Sequence, residues 1–382
     1  MLEVVESERA ARAISAEWNE LVEKQSAVPR GLGPTSKLEL ATLALRLHEP
    51  DAQFRAFIEK GQGSISAILP CYRVIRSRGL FRWTEMGLLA DLYPGRSGVI
   101  HDQGTPGSGR ELLSAVIAPT GGWDTFMMTF VVGDALEREF LNIVSERKLH
   151  AYTLSETVCP YIELPERWED YLARLGSRFA SNLRSRERKL QSAGDVAIKS
   201  FTRLDECDEF FQGVTEVEKK SWKEAAGTSL TKNEVQLTYH KEMARICSED
   251  GTFQGFLLTL NDTPIAHIIG LRSNGAFLNL KSSFVDSYRK LGLGTIIKSM
   301  VIRDVFDGRV RYWDFVGEAQ EHKMQWTDRT YTLRKYVVFS SSLMGRLLRL
   351  RFEIAEKIRN LKARGGGGVR ADGDTLGRQN SP

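Results

Sequence analysis

The chain has no cysteines spaced CxxC, no histidines spaced HxH or HxxxH, and no apolar run near the roughly 20 residues needed to span a bilayer. Its four cysteines, Cys71, Cys159, Cys207 and Cys247, are scattered, which argues against a disulfide framework and a zinc site and fits a reducing compartment. With only six histidines and no ligand spacing, a catalytic metal is not expected. The opening MLEVVESERA lacks a basic segment ahead of an apolar core, and stretches such as Phe126 to Val132 are far too short to cross a membrane. Secretion and membrane spanning are therefore disfavoured, and a cytoplasmic protein is expected. An excess of one charge is missing too. The 53 Lys and Arg against 49 Asp and Glu leave a net charge of +4, too little for charge alone to imply nucleic-acid binding, so no DNA partner is expected. GxGxxG, the Walker loop GxxxxGK(S/T) and GxSxG are all absent, and no cysteine has a neighbouring histidine. Dinucleotide binding, P-loop chemistry and a covalent acyl-enzyme are not favoured.

What is present is a globular composition, 42% apolar and 27% charged, in 382 residues, more than one core normally organises. Two units of roughly 150–200 residues are expected. Apolar residues at helical spacing predict a helix over Ala11–Lys24, with a second near Lys37–Leu47. Short strands are expected at Gln53–Ile58, Ser64–Val74 and Leu80–Gly87. A glycine-rich stretch follows at Tyr93–Gly109, then a strand at Asp124–Val132 and a helix at Ala135–Lys148. From Trp168 to Gly194 one long helix is predicted. After it comes strand Val196–Phe201, helices Cys207–Glu224 and Asn233–Ser248, then strands around Leu257, at Ile265–Leu271 and at Ala276–Val285. The similar element order of the two halves suggests a duplicated α+β fold, although no residue-level repeat is visible. Leu343–Arg364 reads as a basic helix, either docked on the body or resting on an anionic membrane surface. The nearly apolar-free GGGGVRADGDTLGRQNSP after it reads as disordered.

The sharpest feature is Arg289-Lys290-Leu291-Gly292-Leu293-Gly294, preceded by the strand AFLNLKSSFV and followed by the apolar helix TIIKSMVIRDVF. Glycines let several backbone N–H groups converge, and the new helix adds its positive dipole end, so the segment is either a pyrophosphate cradle or a plain tight turn. This arrangement resembles the coenzyme A-binding segment of the GNAT acyltransferase superfamily, where R/Q-x-x-G-x-G/A joins the fourth strand to the third helix. RFASNLRSRERKLQSAG (Arg178–Gly194), Trp222, TYHKEMARICSEDG, DTPIAHIIG and RYWDFVGEAQEHKMQW, with SISAILPCYRV in the first half, resemble the CelD-like (cellulose-biosynthesis-type) acetyltransferases, relatives of the Fem peptidyltransferases. The resemblance is strongest over Trp168–Trp326.

It implies an α/β (α+β) fold of two tandem GNAT-like halves, each a mixed, mostly antiparallel sheet flanked by helices. These would be an N-terminal half at 1–165 and a C-terminal acetyltransferase half at 166–340, followed by the basic helix at 341–364 and the tail at 365–382. It implies acyl transfer, most simply from acetyl-CoA as co-substrate, to an amine or hydroxyl on a small-molecule or glycan acceptor, in polysaccharide or cell-envelope biosynthesis. The Fem relationship implies the alternative of aminoacyl transfer from charged tRNA to a cell-wall precursor; a non-catalytic scaffold of a polysaccharide-synthesis system is the third reading. The coenzyme would lie on Arg289, Lys290, Leu291, Gly292, Leu293, Gly294 and Thr295. In the GNAT pattern two strands splay beside the acyl group, which places Asn279–Val285 and Tyr312–Glu318 near the chemistry. Glu318 is then the first candidate base, Asp314 the second, and Tyr288 or Tyr331 a candidate acid toward the thiolate. His322 and Lys323 are candidates for an anionic substrate. Arg178 and Arg184, on a helix with four further basic residues against Glu187, either line an acceptor groove or form a solvated face. His267, within an apolar strand, is expected to be structural.

Overall fold

The computed structural model describes residues 1–25, 33–61, 64–89, 98–102, 107–118, 122–273, 275–306 and 310–365. The first half comprises β1 (Leu2–Val5), α1 (Glu8–Arg12), α2 (Ser15–Gln25), α3 (Leu38–His48), β2 (Gln53–Gly61), β3 (Ser64–Arg78), β4 (Phe81–Leu88) and β5 (Ile100–His101). It continues with α4 (Arg110–Val116), β6 (Thr125–Val131), α5 (Ala135–Glu146) and β7 (Ala151–Glu163). The second half runs through α6 (Trp168–Leu175), α7 (Ser177–Gln191), β8 (Val196–Phe201), α8 (Cys207–Lys219), α9 (Trp222–Ala225), α10 (Glu234–Glu249), β9 (Phe253–Leu260) and β10 (Thr263–Ser273). Then come β11 (Ala276–Phe284), α11 (Leu293–Phe306), β12 (Tyr312–Asp314) and α12 (Glu321–Met324), before β13 (Thr330–Phe339) and α13 (Leu343–Gly365).

The strands form one continuous mixed sheet in the order β1-β2-β3-β4-β6-β13-β7-β12-β11-β10-β9-β8, with β5 paired to β3. Each half covers both faces of its part of this sheet. In the first, Leu112, Leu113 and Phe140 of α4 and α5 pack on Phe126 and Met128, while Trp18 and Leu38 lie on the opposite face with Ile58 and Ile68. In the second, α11 and α7 bury Ile296, Val301 and Leu190 on one face, and α8 and α10 bury Phe210 and Met243 on the other. This is the tandem arrangement expected.

Two strands absent from the sequence reading, β7 and β13, join the halves. β7 pairs antiparallel with β12 of the second half and with β13, and β13 returns to pair with β6 through Leu333↔Val131 to Phe339↔Thr125. The chain past Thr330 thus belongs to the first half's part of the sheet, across the expected boundary at 165/166. The helix α3 ties the halves together again: Leu40 and Leu43 pack with Phe210 and Tyr239, and buried Lys37 pairs with Asp250 at 2.5 Å.

The single long helix expected from Trp168 is broken at Gly176, whose φ of +88° lies in the region that favours glycine and turns the chain between α6 and α7. Cys207–Glu224 is likewise split into α8 and α9. Of the glycine-rich stretch Tyr93–Gly109, residues 93–97 and 103–106 lie outside the described residues, as does the tail beyond Gly365. Among the described residues, no helix is long and apolar enough to cross a membrane.

The basic C-terminal helix, α13, docks on the first half. Phe352 meets Tyr152 at 5.2 Å and Phe339 at 5.6 Å between ring centroids, and the Tyr152 hydroxyl donates to Glu353. Phe352→Ala is expected to cost about 1–2 kcal/mol, less than a full core truncation because the ring is half-buried. Hydrogen exchange should show faster opening of α13 alone; unchanged protection would mean that the helix is held by other contacts.

Candidate active site

The site begins where two parallel strands part. β11 and β12 pair over only Ala276↔Tyr312, Phe277↔Trp313 and Leu278↔Asp314. The register there is anchored by Trp313 stacked on Phe277 at 4.5 Å. Beyond Asp314 the chain swings away, because the Asp314 carboxylate accepts the Val316 amide at 2.8 Å, closing a local turn, and Val316 and Gly317 take φ of +41° and +96°. β11 continues to Phe284, so its edge from Asn279 onward faces open space. A cavity of about 550 Å³ fills the fork.

The floor of the fork is the glycine segment. Asp286–Leu291 form a 3₁₀ turn, Gly292 is left-handed (φ 72°, ψ 41°), and α11 starts at once. The Gly292 carbonyl accepts the Thr295 and Ile296 amides, leaving the Leu293 and Gly294 amides in the first turn without intrahelical acceptors. The arginine that reaches this turn is Arg186 of α7. Its guanidinium donates to Thr295 Oγ1 at 3.3 Å, and a Cβ on Gly292 would lie 3.0 Å from it. Gly294 is less constrained, since a Cβ there meets only the Phe284 ring at 3.4 Å.

The walls are cationic. Lys298, on α11 one turn beyond Thr295, is 5% exposed and makes no hydrogen bond or ion pair among the described residues. Lys223 donates to the Ser282 carbonyl at 2.6 Å, Lys281 to Gln236 at 3.4 Å, and Lys323 to the carbonyls of Glu318 at 3.1 Å and Val316 at 3.4 Å. His322 stands at the rim. Among the described residues, no aspartate or glutamate lines the cavity. Burial first, and then mutual repulsion, push the Lys298 ammonium down to about 8; burial does the same to Lys223, against the pull of Glu218. Burial also lowers Lys281 and Lys323, and desolvation together with Lys298, Lys323 and Lys223 takes His322 down to about 4. Two buried acceptors on this wall, Asn279 Oδ1 and Ser283 Oγ, have no hydrogen-bond partner among the described residues.

Behind β11 lies the carboxylate that offsets part of this charge. Glu218 of α8 is fully buried, accepting His267 Nε2–H at 2.9 Å and the Leu230 amide at 3.1 Å. Burial alone would raise Glu218, but these donors and Lys223 outweigh it and hold the carboxyl at about 2. Burial pushes His267 down, so its imidazole is a neutral donor. His267 has the structural place expected of it.

The structure brings Gly292, Gly294, Thr295, His322 and Lys323 together around the cavity. The remaining expected residues lie elsewhere. Asp314 is fully buried and bound by the Tyr331 hydroxyl at 3.1 Å; it shapes the fork rather than facing it. Glu318 is exposed and offers its carbonyl, not its carboxylate, to Lys323. Tyr288 and Leu291 pack against the second-half core, Leu293 is buried in it, Arg289 pairs with Asp286, and Lys290 is exposed. Arg178 and Arg184 are exposed on α7; Arg184 lies about 200° around the helix from Arg186, the basic residue that reaches the turn. Asn279, Lys281 and Ser283 lie in the stretch Asn279–Val285 that the sequence places near the chemistry, although it singles out none of them, and Lys223 and Lys298 were missed. A signal existed for one of them: Lys298 is the lone charge in the apolar helical run TIIKSMVI, where a charged residue needs a purpose.

Comparison with known proteins agrees with this geometry. Residues 177–324 match the acetyltransferase (GNAT) domain family. The matched span holds the glycine turn, the fork and most of the lysine-lined wall. Among solved structures, the chain is similar to FemX, with a TM-score of 0.59 at 12% identity, covering 88% of this chain and 98% of that one. It is also similar to the C-terminal DUF2156 domain of a protein named as a lysylphosphatidylglycerol synthetase from Agrobacterium fabrum (TM-score 0.53, 9% identity, 88% and 95% covered). A conserved protein of unknown function from Bacteroides thetaiotaomicron is a third (TM-score 0.53, 14% identity, 89% and 100% covered). At these identities the likeness is one of fold. No curated protein matches the chain. Among the described residues, no group of three or more His, Cys, Asp or Glu is placed to hold a metal ion.

Proposed function

We propose that this GNAT domain transfers an acyl group, most simply acetyl, from acyl-CoA to an amine or hydroxyl acceptor, by direct attack and without a covalent enzyme intermediate. The observation that supports it is the fork between β11 and β12, floored by the glycine turn and opening into the cavity. The coenzyme's pyrophosphate would lie on the Leu293 and Gly294 amides and Arg186, and the thioester would reach the open edge of β11. The acceptor's nitrogen or oxygen bonds to the thioester carbon, the C–S bond breaks, and the proton lost by the acceptor ends on the coenzyme sulfur. Negative charge appears first on the carbonyl oxygen and then on the thiolate, and the lysine-lined wall stabilises both. The segments similar to CelD-like acetyltransferases support the finer assignment to cell-envelope or polysaccharide chemistry.

The test is calorimetry with CoA and acetyl-CoA, followed by thiol release across a panel of amines and alcohols. Micromolar binding with acceptor-dependent release is expected. Absence of CoA binding at millimolar concentration, with binding of aminoacyl-tRNA instead, would overturn the reading. Glu318→Gln is expected to keep turnover within about threefold, because that carboxylate does not line the cavity. A loss of 100-fold or more, the effect of removing a general base, would show that the loop closes over the substrate.

A further inference from the structure

With the coenzyme's pyrophosphate on the Leu293 and Gly294 amides and Arg186, stabilising the transient oxyanion and then the thiolate asks the rest of the cavity to meet at most a single net negative charge at a time. The cavity offers much more. Lys223, Lys281, Lys298 and Lys323 reach it from α9, β11, α11 and α12, with His322 beside them and no carboxylate among the described residues of the lining. Among the described residues, Lys298 is nearly fully buried and makes no hydrogen bond or ion pair, and Asn279 Oδ1 and Ser283 Oγ, in residues of the same lining, are buried acceptors with no hydrogen-bond partner. Like charges gathered in a desolvated space repel, and a fold keeps such an arrangement only if something compensates it. Glu218 lies behind the strand and compensates Lys223 and Lys281 in part. Glu318, outside the lining, offsets part of the charge of Lys323, whereas no carboxylate among the described residues acts on Lys298.

We propose that the inner end of this cavity is a standing oxyanion site, which holds a carboxylate or phosphate group carried into the reaction by one of the two substrates. The inference rests on the acyl-transfer reading for its place in catalysis. The anion chemistry itself rests on the lining. Two sources supply such a group: a dicarboxylic acyl chain, whose distal carboxylate would lie among the amines, or an acidic acceptor such as a phosphorylated or uronic sugar. A planar carboxylate or tetrahedral phosphate would take ammonium donors from Lys298 and Lys323, and a protonated oxygen of either could donate to Asn279 Oδ1 or Ser283 Oγ.

A bound anion also changes the protonation of the site. The charged groups acting on Lys298 are Lys223 from α9 and Lys323 from α12, and His322 of α12 is repelled by all three; Lys281 of β11 lines the same cavity, Glu218 of α8 offsets Lys223 and Lys281, and Glu318 offsets Lys323. An anion among them favours the ammonium form of each. Above pH 8, where part of Lys298 and Lys223 is neutral, binding therefore takes up protons, and affinity falls as pH rises.

The experiment starts with calorimetry of succinate and inorganic phosphate on the full-length protein without CoA, in buffers of different ionisation enthalpy at pH 8.5. Binding with proton uptake is expected, and at least tenfold weaker binding in both Lys298→Met and Lys323→Met. Because Lys298→Met removes a buried, repelled charge, it should unfold at a higher temperature than wild type, so a loss of binding is not a loss of fold. The second stage compares succinyl-CoA with acetyl-CoA, and an amino sugar with its phosphate ester. A preference of tenfold or more for the charged member identifies which substrate brings the anion. If the anions bind but CoA does not, the acyl-CoA reading falls and the anion site stands. If CoA binds while succinate and phosphate do not, and neither charged substrate is preferred, the anion site is overturned and the acyl-CoA reading stands.

Discussion

Gly292→Val should raise the dissociation constant for CoA at least 100-fold while the protein stays folded. Gly292 holds φ at +72°, a conformation that costs an L-residue roughly 1–2 kcal/mol and a β-branched one more. Relaxing that strain rotates the peptide leading into α11 and with it the Leu293 and Gly294 amides, the groups placed to meet a pyrophosphate. The branched side chain would also occupy the 3.0 Å gap to Arg186. Gly294→Ala, which adds a methyl at ordinary contact distance from Phe284, should weaken binding less than tenfold. Arg186→Ala should lose roughly tenfold or somewhat more, the effect of one hydrogen bond to a charged group. Calorimetry with a circular-dichroism control separates these outcomes. A folded Gly292→Val variant that binds CoA like wild type would remove the glycine turn from the coenzyme site.

Glu218→Leu should be the most destabilising single change near the site, at about 3–5 kcal/mol. It leaves His267 Nε2–H and the Leu230 amide buried without an acceptor and removes the charge that compensates Lys223 and Lys281. Leucine is close in volume to glutamate, so cavity formation contributes little. With an unfolding entropy near 2.1 cal/mol/K per residue, that cost lowers Tm by about 4–6 °C if the whole chain unfolds together. The pH dependence provides a second check. Glu218 titrates at about 2 when folded against an ordinary 4.5, so the unfolded chain binds the proton first as pH falls. Its contribution is complete above pH 4.5 and lost toward pH 2. The Tm difference between wild type and Glu218→Leu should therefore shrink across that window. His267, held below 6.5, adds a separate acid-side loss that begins nearer pH 6.5. A Tm within 1 °C of wild type at neutral pH would show that the pair is not compensating the lysines.

Local pattern carried much of this protein. The apolar spacing of α5 and α10, the apolar runs of β3 and β10, and a glycine pair between a strand and a helix are properties of neighbouring residues, and they are where the sequence places them. The tandem α+β layout follows from their order. Sequence did not show that β7 and β13 close the two halves into one sheet, because Leu333 and Val131 are 202 positions apart and alternation names no partner. It treated Gly292 and Gly294 alike, since only backbone torsion and the approach of Arg186 tell them apart. It offered Asp314 and Glu318 as bases because acidic residues near a splayed strand are suggestive, whereas the fold turns one inward to Tyr331 and leaves the other in solvent. The lysine-lined wall is the fullest case: Lys323 is a candidate in sequence and Lys298 stands alone in an apolar run, but nothing in sequence joins them to each other or to Lys223 and Lys281. Their shared desolvation and mutual repulsion exist only where four separate elements converge on one cavity.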